Sequence, residues 1–371
     1  VENAKMTLSQ FFHLIIIFEL GTAVIIGLGL EAKQDAWISI LIAMLGGIVL
    51  FGVYTTLFRR YASKPLTGYI RQILGNYLGW PVSLLYCVYF LYISARVLLD
   101  TIILLRIAWL DKTPGLVLIG ILIMVSMYII YPGIRCLSKT GVFFNFVYLA
   151  GIILSLILLV SSGLVDLQNL LPIGENWQLI LQTAFPQVLT FPFGELIAFT
   201  MLLPYIQEKK EKVFQIGTKA LIWSGIIITL MIIIDIGILG SSVVGRAPFP
   251  LLTTMGKVDI QKFLQRLDVL SAFILVIGSF FKYTIFFYTT VLAATDVFQF
   301  KNHRQLILPI GSILFVFSLI NATNVSEHLK EGLEIVPFYL HLPFQIGIPL
   351  LLLIVHFLKN RFGKKEQTIT G

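Results

Sequence analysis

An all-α polytopic membrane protein of ten transmembrane helices, arranged as a five-plus-five inverted repeat with the first and sixth helices broken, is the fold class this sequence predicts. Three observations carry it. The hydrophobic fraction is 57% and the mean hydropathy +0.92, which leaves too little polar surface to clothe a water-soluble globule. Apolar runs of about 17 to 28 residues, the length a helix needs to span roughly 30 Å of hydrocarbon, recur along the whole chain. Two of these runs break at matching places around a glycine and a carboxylate, Glu19-Leu20-Gly21-Thr22 and Phe191-Pro192-Phe193-Gly194-Glu195. Charges at membrane depth are costly, and paired Gly or Pro interruptions mark the discontinuous helices of transporter-type binding sites.

Taken in order, the first five runs lie at 10–30, 36–57, 79–105, 114–130 and 140–163. The second five lie at 179–206, 215–239, 268–296, 305–321 and 339–358. Residues 10–163 and 179–358 therefore form two repeats within a single transmembrane domain, 1–371, that ends in a basic tail at 359–371. Five is odd, so the second copy enters the membrane from the opposite side and the repeats are inverted. Internal correspondence supports this pairing. The first span of each half carries the Gly-plus-Glu break. After the second span of each half comes a turn and a short amphipathic segment, Lys64 to Leu74 in one and Phe249-Pro250-Leu251 running into Ile260 to Arg266 in the other. The third span of each half then carries a cation, Arg96 or Lys282.

The net charge of +8 follows topology rather than a nucleic-acid surface, because the basic residues sit in alternate loops and form no patch interleaved with aromatics. Arg59, Arg60, Lys64 and Arg71 follow the second span, Lys209, Lys210 and Lys212 the sixth, and Lys359, Arg361, Lys364 and Lys365 the tenth. By the positive-inside rule both termini are cytoplasmic. The first run is too long for a signal-peptide core and no small-residue cleavage pattern closes it, so it is expected to stay as the first span. Cys87 and Cys136 stand alone, without a His or Cys partner at metal-ligand spacing, and neither a disulfide framework nor a metal site is expected.

At the first break, Gly21 lets the backbone leave helical geometry, and the N–H groups freed at the start of the following half-helix suit a substrate carboxylate. Gly27 and Gly29 extend a small-residue face that serves close packing. At the second break, Pro192 removes an intrahelical hydrogen bond and Gly194 tolerates the distortion, freeing carbonyls for a substrate ammonium. Pro186 adds a second bend to the same span. Lys282, amid Gly278, Ser279, Phe281, Tyr283 and Thr284, requires an acidic partner, with Glu19 and Glu195 as the candidates. It supplies either a fixed charge where ion-coupled transporters hold sodium or one half of a structural pair. Arg96 and Asp100, four apart on one face of the third span, can pair locally. Tyr89 and Tyr92 lie near that face, placing the Tyr92 hydroxyl within reach of the site. Asp235, near the outer end of the seventh span, can reach the interface. The candidate ligand contacts are thus Glu19, Leu20, Gly21, Thr22, Tyr92, Phe191, Phe193, Gly194, Glu195 and Lys282. No catalytic constellation, phosphate loop or dinucleotide fingerprint is present in the sequence, so neither an enzyme nor a cofactor is expected.

The run Phe18-Glu19-Leu20-Gly21-Thr22-Ala23-Val24, the entry Asp35-Ala36-Trp37 to the second span, Pro132-Gly133-Ile134-Arg135 after the fourth and Pro192-Phe193-Gly194-Glu195 in the sixth together resemble the B subunits of spore germinant receptors. These are permease-like proteins of the amino acid, polyamine and organocation superfamily, with a LeuT-like fold. The resemblance covers essentially the whole chain. It implies a nutrient-sensing subunit of the spore inner membrane that works with a larger membrane A subunit and a lipoprotein C subunit. It also implies an amino acid or similar small nutrient bound at the midplane between the broken first and sixth helices. A proton- or ion-coupled amino acid permease, in which Glu19 or Glu195 titrates, is the alternative on the same fold.

Overall fold

The computed structural model describes residues 5–24, 26–208, 210–257, 268–320 and 325–369. Among these, six helices are long and apolar enough to cross a bilayer, and three shorter apolar ones, Leu8–Ala23, Gly115–Ile130 and Arg304–Ile320, accompany them. The remaining crossing, the sixth, is interrupted, so no one helix spans it. The expected ten-crossing architecture is therefore the observed one.

Helix α1 (Leu8–Ala23) starts at a capping box in which the Thr7 hydroxyl accepts from the Gln10 N–H and the Gln10 side chain accepts from the Thr7 N–H, so two otherwise orphaned donors are satisfied. Its entry is tied to the end of the sixth crossing by two backbone bonds, Met6 N–H to Tyr205 O and Gln207 N–H to Met6 O, both 3.0 Å. The first crossing does break, but beyond the predicted place: α1 runs to Ala23 and residues 19 to 22 stay inside it. A short 3₁₀ turn, Leu30–Asp35, then leads into α2 (Ala36–Arg60). The reason is packing. An ideal Cβ on Gly21 would lie 2.7 Å from the Gly278 carbonyl oxygen and 3.0 Å from Lys282 Cβ, so this glycine permits a close helix crossing. No half-helix begins at Gly21, and the anion-binding loop expected there does not form.

Helix α3 (Leu66–Ala108) contains the predicted amphipathic lead-in, which turns a corner at Gly75, φ +78°, a backbone angle that glycine alone adopts without strain. Helices α4 (Gly115–Ile130) and α5 (Ile134–Ser161) complete the first half. The sixth crossing begins as α6 (Trp177–Gln182), and α7 (Val213–Leu239) follows it. The one-turn α8 (Ser241–Val244) and α9 (Pro250–Gly256) then precede α10 (Asp268–Val297). The second amphipathic segment, Ile260 to Arg266, and Lys209 lie outside the described residues. Helix α11 (Arg304–Ile320) is followed by α12 (Val325–Lys330), which continues through wide π-type turns, Glu331–Ile335 and Pro337–Gly347, into α13 (Ile348–Ile369). Pro337 and Pro343 each remove a backbone donor from this stretch, which fits its loosened winding.

The helical span of the tenth crossing begins before the predicted 339, at Glu331. The acidic residues Glu327, Glu331 and Glu334 interrupt the apolar run, yet Glu331 is matched by a cation from α3 (below). Burial sorts the helices: the most apolar stretch of α10 is 83% buried and that of α3 72%, against 28% for α5. The outer helices present Phe143, Phe146, Ile153, Ile157, Ile313 and Val316 outward, as a lipid-facing surface requires.

Asp235 departs from its expected place. It is buried and accepts a 2.7 Å hydrogen bond from the Thr254 hydroxyl of α9, so it does not reach the interface. Thr254→Val strands this carboxyl and is expected to lower stability by about 1–3 kcal/mol, read as a lower melting temperature of the purified protein.

Candidate functional site

The sixth crossing is distorted twice. Around Thr183–Val188 the winding widens, and Phe185 before Pro186 is extended (φ −130°, ψ 128°), as the residue preceding a proline prefers. This is the predicted second bend. At Phe191-Pro192 the helix stops in a turn and resumes as a 3₁₀ stretch, Phe193–Met201, with Glu195 in its first turn. Gly194 is needed here because an ideal Cβ would fall 2.1 Å from Gln345 Oε1. The Tyr54 hydroxyl of α2 lies 3.1 Å from Gly194 O and 2.7 Å from Gln345 O, pinning the break to the tenth crossing. Phe193 packs the other way, against Gly47.

Lys282, fully buried at mid-α10, places its ammonium 2.5 Å from Glu195 Oε2. The same nitrogen lies 4.5 Å from the centroid of the Phe191 ring and 5.2 Å from that of Phe18. A carboxylate and two aromatic faces thus form a cage for a desolvated cation. Of the two predicted partners the ammonium takes Glu195. Glu19 is equally buried, and neither of its oxygens has a hydrogen-bond partner among the described residues; nor has the Thr22 hydroxyl. Leu20 contributes its carbonyl, which accepts from the Tyr148 hydroxyl at 3.1 Å.

Above this cage lies a small cavity of about 50 Å³, with Phe191, Glu195 and His341 on its walls and Arg96, Asp100 and His328 toward the end of the bundle where α3 finishes. Arg96 and Asp100 do not pair with each other, contrary to their spacing. Arg96 Nη1 is 2.9 Å from Glu331 Oε2, its Nη2 donates to the His328 carbonyl, and Asp100 Oδ1 is 2.8 Å from His328 Nε2. Each takes a partner from the facing crossing because buried ionic groups need several well-placed contacts, which one i,i+4 neighbour does not supply. Tyr92 joins this closure: its hydroxyl donates to Glu331 Oε1 at 2.9 Å and accepts from Arg96 at 3.3 Å. It does not line the cavity itself, whereas Phe191 and Glu195 do.

Sequence reasoning missed a buried network that backs the cavity. Gln345 Nε2 donates to the Tyr89 hydroxyl at 2.8 Å, and that hydroxyl is 2.8 Å from His341 Nδ1. The hydroxyl accepts from the amide and also bonds Nδ1, so it links the Gln345 amide to the His341 ring. The Tyr89 ring stacks on Phe344, centroids 4.7 Å apart and 2° from parallel. The available signal was the i,i+4 pair His341 and Gln345 inside an apolar run. Tyr89→Phe removes one donor and one acceptor from this network and should cost about 1–3 kcal/mol, measured as a lower melting temperature.

The site therefore offers buried carboxylates, a caged ammonium, a guanidinium and an imidazole around a small cavity. The family described as Spore germination protein matches residues 5–326. Spore germination protein KB of Bacillus subtilis (strain 168) is 39% identical over 370 residues, covering 99% of this chain and 98% of that one. Spore germination protein A2 of the same organism is 24% identical, with 77% of each chain covered. Among solved structures, MhsT in complex with L-phenylalanine superposes with a TM-score of 0.68 at 13% identity, covering 96% of this chain and 99% of that one. A substrate-bound, outward-open Na+-coupled sialic acid symporter gives a TM-score of 0.64 at 10% identity, covering 89% and 79%. These structures share the LeuT-type fold expected from the inverted repeat. With a match across nearly its whole length, this integral membrane protein belongs to the spore germination protein family, among the germinant receptor B subunits that its sequence resembles.

Proposed function

We propose that the chain is the nutrient-binding subunit of a germinant receptor, holding an amino acid or similarly small nutrient in the cavity bounded by Phe191, Glu195 and His341. The observation that carries this reading is the position of the cavity, between the break of the sixth crossing and the ionic closure that joins α3 to α12 and Glu331. A ligand there touches both elements, so it can bias the equilibrium between a closed and an open arrangement by its difference in affinity for the two. Lys282 supplies the fixed positive charge of the site, occupying the cage with a tethered ammonium. Glu19, Leu20, Gly21 and Thr22 act from α1 by shaping the wall against which Lys282 packs.

In this reading the protein sits in the spore inner membrane with both termini cytoplasmic, the Arg96–Glu331 closure faces the exterior, and the partners are a membrane A subunit and a lipoprotein C subunit. Residues 10–163 and 179–358 act as the two repeats that move relative to one another. The test is a melting-temperature screen of the purified chain against amino acids, sugars and nucleosides. A saturable upward shift by one class, lost in Glu195→Ala, supports the site; shifts unaffected by that substitution overturn it. The transporter fold of the solved relatives favours one second reading, an ion- or proton-coupled permease. Saturable, gradient-driven uptake into proteoliposomes containing this chain alone would establish it and remove the purely sensory account.

A further inference from the structure

We propose that Glu19 is a proton-binding site, holding one proton in the closed arrangement described above. Glu19 is 0% exposed and both carboxyl oxygens lack a hydrogen-bond partner among the described residues. The charged groups that face it are Lys282 from α10 and Glu195 from the sixth crossing. Lys282 is already committed to Glu195 at 2.5 Å. The Tyr54 hydroxyl of α2 is committed to Gly194 O and Gln345 O and the Tyr148 hydroxyl of α5 to Leu20 O, while the Thr22 hydroxyl of α1, itself without a partner among the described residues, makes no hydrogen bond to Glu19.

Glu19 thus faces an ammonium already paired with Glu195, and none of the described residues donates a hydrogen bond to it. An ionised, unpartnered carboxylate there costs several kcal/mol, whereas a proton on it removes the charge altogether. A neutral Glu19 next to the Lys282–Glu195 pair leaves the cluster with zero net charge. When the cavity opens and water reaches α1, the proton passes to that water and the carboxylate is solvated. The closed arrangement binds more protons than an open or unfolded one at neutral pH, so its stability falls as pH rises, with a limiting slope of about tenfold in the equilibrium per pH unit for one linked proton.

The proton is held by the ligand-free chain, so the measurement needs no nutrient and its outcome is separate from whether the chain senses or transports. Infrared spectra of the full chain in lipid nanodiscs are recorded at neutral pH, with and without ¹³C-labelled glutamate. The expected result is a protonated-carboxyl C=O band that shifts on glutamate labelling, disappears in Glu19→Gln, and persists in Asp235→Asn. Melting temperature should fall with rising pH in the native chain, and Glu19→Gln should flatten that dependence. Glu19→Met, neutral and of similar length, serves as the second variant if the amide is not accommodated. Absence of a glutamate-shifted band in the native chain overturns the proposal, as does a band that survives both Glu19 substitutions or one that Glu195→Gln alone removes.

Discussion

Lys282→Met is expected to abolish the response to nutrient and to lower stability by about 3–5 kcal/mol, the range for breaking a buried ion pair by removing one partner. Methionine fills most of the volume of lysine but leaves Glu195, 1% exposed, without its 2.5 Å counter-charge. The double substitution Lys282→Met with Glu195→Gln removes both charges and should recover most of the stability. What it does to the response separates two roles. A cation that belongs to the site leaves the double variant folded and unresponsive. A pair that only holds α10 to the sixth crossing gives a double variant that is folded and responsive. Melting temperature and nutrient response, measured on the same four proteins, complete the cycle.

Gly21→Ala should be the most damaging single methyl in the first crossing. The added carbon meets the Gly278 carbonyl oxygen at 2.7 Å, a backbone atom that cannot swing aside like a side chain. Helices α1 and α10 must separate to admit it, at about 1–3 kcal/mol, and the separation moves Phe18 away from the Lys282 ammonium it faces at 5.2 Å. Nutrient response should therefore fall more steeply than protein level. Gly115→Ala is the control, since no atom lies within 4 Å of the carbon it would add; it should melt at or slightly above the native temperature. Equal losses in the two variants would show that the α1–α10 contact has no special role.

The sixth-crossing break was legible because Pro192 and Gly194 act on the backbone of their own segment: a missing N–H and a missing Cβ have local consequences in any fold. The same reasoning misplaced the first break. Gly21 carries the same signal, but what it does depends on Gly278, more than 250 positions away in sequence, and in the folded chain it brings two helices together instead of ending one. Lys282 announced a need for an acidic partner without naming it, since Glu19 and Glu195 are both carboxylates on spans expected near the centre. The spacing of Arg96 and Asp100 pointed to a local pair, and their partners proved to be Glu331 and His328, in a stretch whose charges broke up the hydropathy signal.

What the sequence by itself determined was the membrane setting, the ten-crossing order, the inverted pairing of the two halves and the place where the sixth helix must yield. These follow from composition, segment length and backbone chemistry, which each segment carries with it into the bilayer. Only the tertiary structure decided which carboxylate the buried ammonium takes, which one is left without a donor among the described residues, and how α3 is latched to α12 and Glu331 above the cavity. Ion pairing in a low-dielectric interior is settled at distances of 2.5 to 4 Å, and such distances between segments far apart in sequence exist only once the helices have packed.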